Sequence, residues 1–135
     1  MGQQQLLLII LGVIIVGIAI AVGLSLFSAQ SVQANRDAIV NDLNNLAANA
    51  YQFRIRPVSM GGGGGAYDNS KGASNTYTVP SKMKTNDNGT YAAPTVAADN
   101  ITFSATSAQY PGCTVQATLG SDGKLSGFIY GGQFQ

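Results

Sequence analysis

The chain has 135 residues, of which 10% are charged, with seven Lys and Arg against six Asp and no His, Glu or Trp. A near-neutral chain without a basic patch has nothing to neutralise phosphates, so nucleic acid is not expected as a partner. Without His or Glu, general acid–base work would fall to scattered Asp, Lys, Tyr or Cys. No enzyme, no catalytic residue and no cofactor is expected.

The first element is an apolar rod, LLLIILGVIIVGIAIAVGLSLF, from Leu6 to Phe27. As a helix it is about 33 Å long, which matches the ~30 Å hydrocarbon core of a bilayer. The first charged side chain is Arg36. A cleavable secretory signal calls for a positive start and a shorter apolar core, so MGQQQ followed by this rod fits it poorly. N-myristoylation calls for Ser or Thr where Leu6 stands. Two readings remain: a single-pass anchor, or a helix that sits first in a membrane and then in a filament core of identical helices. Gly12, Gly17 and Gly23 interrupt the rod. Gly17 with Ala21, and Ala19 with Gly23, form small-xxx-small pairs that let helices approach closely. Gln3, Gln4 and Gln5 put uncharged hydrogen-bonding groups at its tip.

From Ser28 onward the pattern becomes one-sided. Val32, Ile39, Leu43, Leu46, Ala50 and Phe53 mark a stripe at helical spacing, with Val40, Ala47 and Tyr51 beside it. With no strong breaker before Arg56, we expect one helix of about 50 residues, ended by Pro57. Arg54 and Arg56 lie in its last turn, where positive charge suits the dipole. The stripe needs a cover, and the C-terminal region is the cover within the chain. The glycine run Gly61–Gly65 lacks the Lys-Ser/Thr pair and following helix of a phosphate loop. The stretch that holds it, Pro57–Ser74, is expected to be a long surface excursion joining helix to sheet.

Residues 76–135 read as short strands between turns. TYTVP (76–80) is the first candidate. NDNG (86–89) is a turn signal before TYAAPTVAA. Then come NITFSATSA, PGCTVQATLG and KLSGFIYGGQF, the last two joined by a hairpin at Ser121-Asp122-Gly123. Asn88-Gly-Thr and Asn100-Ile-Thr match the N-x-[ST] glycan acceptor pattern, so Asn88 and Asn100 are candidate modification sites. Cys113 is the only cysteine, so no intrachain disulfide forms; it reads as a small buried hydrophobe, with an intermolecular link as the alternative. Asp68, Asp87, Asp99 and Asp122 stand in turn-like sequence and make no calcium-hand loop, and no metal site is expected.

The fold class is therefore α+β: a long N-terminal helix, hydrophobic then amphipathic, packed on a small antiparallel sheet of three or four strands. The divisions are 1–27 for the apolar helix, 28–56 for its amphipathic continuation, 57–75 for the glycine-rich connection and 76–135 for the sheet domain.

A short polar tip, an apolar helical half, an amphipathic half, a glycine-rich connection and a small sheet together resemble a type IV pilin. In sequence the resemblance is carried by the first fifty or so residues. It implies that Met1 is a mature N-terminus left by a prepilin peptidase and then methylated. It also implies a structural role as a subunit of an extracellular pilus-like filament for adhesion, motility or surface interaction. The helix, with Gln5, Gly12, Gly17, Ala21 and Gly23, would be the assembly surface. The implied partners are further copies of the chain, the inner membrane before assembly, and the pilus assembly machinery. Gln5 stands where pilins usually carry glutamate, and the chain lacks both the helix-melting proline that many have near Val22 and their disulfide loop. A minor pilin or secretion pseudopilin, and a single-pass anchored extracellular binding domain, are the alternative readings.

Overall fold

The computed structural model describes residues 2–134. It divides into two compact units that meet between Gln33 and Ala34. Helix α1 (Gly2–Ile55) is unbroken over 54 residues and supplies the described residues of the first unit and the start of the second. The stretch from Gly12 to Gly23 is α-helical throughout. The expectation of one long helix packed on an antiparallel sheet is met, in an α+β arrangement.

Beyond Ala34 the helix turns one face inward. Asn35, Ile39, Leu43, Leu46, Ala47 and Ala50 are buried. These positions follow the stripe read from the sequence, except that Asn35 fills the gap between Val32 and Ile39. Phe53 is only half-buried. The helix stops before Pro57, whose ring disfavours helical backbone in the preceding residue.

The glycine run departs from the expected surface excursion. Gly62 and Gly63 are buried, as are Ala66 and Tyr67 just beyond. The Gly63 amide donates to the Phe53 carbonyl at 2.7 Å, Gly65 to Arg54 at 2.7 Å and Gly64 to Arg56 at 3.0 Å. The last turn of a helix leaves such carbonyls without an intrahelical partner. The run folds back and supplies their donors. A side chain at Gly62 would meet the Arg56 carbonyl, and one at Gly63 the Ala66 carbonyl. Close approach of backbone to backbone is what the glycines permit.

The sheet has five strands: β1 (Gly89–Tyr91), β2 (Thr95–Val96), β3 (Ile101–Ser107), β4 (Thr114–Leu119) and β5 (Leu125–Gly131). Their order is β1-β3-β4-β5, and β2 also pairs with β3; every pairing is antiparallel. Residues 76–80, expected as a strand, join no ladder. The Tyr77 amide donates to the Tyr67 carbonyl at 2.9 Å, and Tyr77 and Val79 are buried, so that stretch is held by a backbone bond and by its side chains. Pro80 and the 3-10 turn Ser81–Met83 then end it.

Along β3, Ile101, Phe103, Ala105 and Ser107 are buried while Thr102, Ser104 and Thr106 face outward. Val115, Ala117 and Leu119 of β4 are buried likewise. This is the period-2 alternation of a sheet with one covered face. These side chains and the buried face of α1 form one core, which also takes in Tyr67 and Phe134. Phe134 is the buried aromatic of the C-terminal segment, while Phe128 and Tyr130 are half-buried. Phe128 and Tyr130 stack at 6.2 Å on one side of β5, and Ile129 on the other is 63% exposed.

Candidate functional site

The first unit presents the candidate assembly surface. Every residue from Gly2 to Gln30 is exposed. The apolar ones between Leu6 and Phe27 include Leu8 at 68% and Val13 at 67%. The helix holds a window of mean hydropathy 3.2, none of it buried, which is long and apolar enough to cross a membrane. A membrane span and a signal sequence both satisfy that test. Apolar surface of this extent has no stable home in water.

The small residues fall on two sides of this rod. At about 100° per residue, Gly12, Ala19 and Gly23 share one face, and Gly17 and Ala21 lie on roughly the opposite one. A β-carbon built on Gly12, Gly17 or Gly23 meets nothing within 4 Å. Nothing inside the chain therefore requires a glycine there. Gln5 is exposed on the same helix. Met1, the expected site of N-terminal processing, lies outside the described residues.

The second unit carries polar clusters that tie its loops to the helix. Asp42 Oδ2 accepts from Asn86 Nδ2 at 2.9 Å, from Asn88 Nδ2 at 3.0 Å and from the Tyr91 hydroxyl. Burial raises the pKa of this carboxyl, but the three hydrogen bonds outweigh it and hold the group below its ordinary value. Burial, with the Asp42 charge beside it, pushes the Tyr91 phenol well up. Asn86 also folds its own turn, with Oδ1 accepting from the amides of Asn88 at 2.9 Å and Gly89 at 3.1 Å.

Deeper in, the Ser107 hydroxyl donates to Asn35 Oδ1, and Asn35 Nδ2 donates to the Asn88 carbonyl at 3.2 Å. Asn35 and Ser107 are 4% and 5% exposed, and the bonds remove the cost of burying them. The Tyr77 hydroxyl donates to Asn49 Oδ1 at 2.9 Å, and burial pushes its pKa up to about 12.

Arg54 does more than complement the helix dipole. It donates to the Ala98 carbonyl at 3.1 Å, lies 3.6 Å from Asp99 and sits over the Tyr67 ring at 5.2 Å. Arg36 sits over Tyr130 at 4.9 Å. Sequence reading singled out neither Asp42 nor Asn35 as a bonded group. The signal for Asn35 was its place three residues after Val32 and four before Ile39.

Of the two N-x-T acceptors, Asn88 is half-buried in the Asp42 cluster and Asn100 is exposed beside the tight turn between β2 and β3. Cys113 is 1% exposed, and its sulfur accepts from the Gln133 amide at 3.3 Å. Among the described residues no group of three or more His, Cys or Asp side chains comes together. The geometry offers a large apolar helix surface for association and a tightly tied domain beyond it. No family model, curated protein or solved structure matches this chain.

Proposed function

We propose that the chain is a structural subunit of an extracellular, type IV pilus-like filament built by packing of the Leu6–Phe27 helices of identical copies. The observation that carries this reading is the fully exposed apolar rod, uncharged from Leu6 to Phe27 and α-helical along its length. Its surface is removed from water by lipid before assembly and by neighbouring helices afterwards. The two faces of small residues support several close neighbours, which a filament core requires and a single helix pair does not. Further support comes from the second unit, whose buried side-chain polar groups are satisfied internally. No buried side-chain polar atom among its described residues lacks a partner.

On this reading the rod resides in the inner membrane before assembly. A prepilin peptidase and the pilus machinery act on the chain, and the sheet domain faces outward for adhesion, motility or surface interaction. Gln5 meets a neighbour through neutral hydrogen bonds, weaker than the charge-assisted bonds a glutamate would make. A minor or pseudopilin subunit shares every one of these features and differs in forming short filaments or none. An anchored binding domain uses the same rod as a solitary span.

Helical reconstruction by electron microscopy of material sheared from cells tests the proposal. The expected result is a uniform thin filament with Leu6–Phe27 at its centre. Recovery of the chain only in the membrane fraction, with no filament containing it, favours the other two readings.

A further inference from the structure

The sequence holds two N-x-T patterns, and the fold treats them differently. In Asn88-Gly89-Thr90 the acceptor nitrogen is occupied. Asn88 Nδ2 donates to Asp42 at 3.0 Å, the Asn88 amide to Asn86 Oδ1 at 2.9 Å, and the Asn88 carbonyl accepts from Asn35 at 3.2 Å. Gly89, the middle residue, is buried, and a β-carbon there would run into the Thr106 carbonyl. The second Nδ2 hydrogen is left over, so what opposes a saccharide on Asn88 is the setting of the side chain, half-buried and pinned against Asp42 in the contact that ties the loop before β1 to the helix.

The second pattern differs at the acceptor, which is exposed; its middle residue is buried as Gly89 is, and Thr102 is half-buried where Thr90 is exposed. Asn100 precedes β3, where Val96 pairs with Ile101 and the Ala97 amide donates to the Asn100 carbonyl at 2.8 Å. Its side chain is exposed and makes no hydrogen bond among the described residues. Ile101 is fully buried and Thr102 lies on the outward face of β3. In extended backbone, residues two apart share a face. Acceptor amide and hydroxyl, the two groups the pattern requires, are therefore both on the solvent side. The turn is held by backbone bonds and by Arg54 on the Ala98 carbonyl, none of which uses the Asn100 side chain.

We infer that Asn100 is the N-glycan attachment site of this chain and that Asp42 masks Asn88. The donor class is a lipid diphosphate-linked saccharide. Asn100 Nδ2 forms a bond to the anomeric carbon, and the anomeric C–O bond to phosphate breaks. The lipid diphosphate leaves with that electron pair, and one amide proton passes to a base. In the cell the modification rests on the export proposed above; the following experiment does not, so the two can fail separately.

Full-length chain in detergent micelles is incubated with an oligosaccharyltransferase that requires only N-x-[ST] and with its lipid-linked saccharide. Peptides spanning 84–92 and 96–104 are treated in parallel, and all products are mapped by mass spectrometry. The expected result is a gain of one saccharide mass on Asn100 of the intact chain and none on Asn88, although both free peptides are modified. Asn100→Gln loses the gain, and Asp42→Ala adds a second one at Asn88 with the near-ultraviolet circular dichroism of the fold retained. Modification of Asn88 in the unaltered chain overturns the inference. So does an unmodified Asn100, whether or not the 96–104 peptide accepts the saccharide.

Discussion

Single residues decide how the second unit is closed. Gly63 donates its amide to the Phe53 carbonyl, and a side chain there would meet the Ala66 carbonyl. Gly63→Ala is therefore expected to cost about 1–3 kcal/mol, the range for forcing extra volume into a packed site. Thermal melts of the full chain in micelles read this, and an unchanged melting temperature would contradict the close packing. Asp42 makes a pH-dependent contribution. Its folded pKa lies below the ordinary 3.8, so its stabilisation is complete above that value and is lost as pH falls through the folded pKa. At neutral pH, Asp42→Ala is expected to lose about 1–2 kcal/mol, a low figure for three charge-assisted bonds because the group is partly solvated. As pH falls through the folded pKa the gap between the variant and the parent should narrow. A stability gap that stays constant across denaturant melts from neutral pH into acid well below the ordinary carboxylate range would show that the Asp42 charge is not what matters.

At the level of elements, the longest patterned ones were legible and the interrupted ones were not. The apolar rod and the stripe of Ile39, Leu43, Leu46 and Ala50 are periodic over many turns, so local pattern and tertiary burial agree. β3 and β4 alternate cleanly for the same reason. TYTVP has strand composition but ends at Pro80 and joins no strand of the sheet, so the Tyr77 amide bond to Tyr67 and its buried side chains place it. The glycine run gave only a loop signal, because its fit against Arg56 and Ala66 arises from backbone meeting backbone, which no side-chain pattern records. The Asp42 cluster joins residues more than forty positions apart in sequence, beyond any local window. Within α1, Gly17 separates folding from association. Gly17→Leu meets nothing in the chain and gains about 1 kcal/mol of helix propensity, so the isolated subunit should hold its fold. Added bulk on a close helix contact should nonetheless abolish filaments in micrographs of sheared cells. Unaltered filaments would mean that this face has no close neighbour.

For the whole molecule, the forces available to the proposed assembly differ sharply in kind, and this makes the solution behaviour of the proposed filament predictable. The helix has no charged side chain before Arg36, so contacts among Leu6–Phe27 rods gain nothing from ion pairs and lose nothing when salt screens them. Cys113 is 1% exposed and is the only cysteine, so a disulfide between copies would require the core beside β4 to open. What remains is removal of apolar helix surface from water, which micelles satisfy as well as neighbouring helices do. Sheared filaments are accordingly expected to persist in about 1 M salt and under reducing conditions, and to dissolve into folded subunits when detergent exceeds its micellar threshold. Sedimentation followed by circular dichroism reads both the assembly and the fold. Disassembly by salt would place charged residues of the second unit, such as Arg56 or Lys71, at the subunit contacts. Release by reductant alone would reveal a Cys113 link and a domain that opens to make it. Survival in detergent would mean that contacts between sheet domains, centred on exposed groups such as Ile129, hold the polymer more strongly than the rods do.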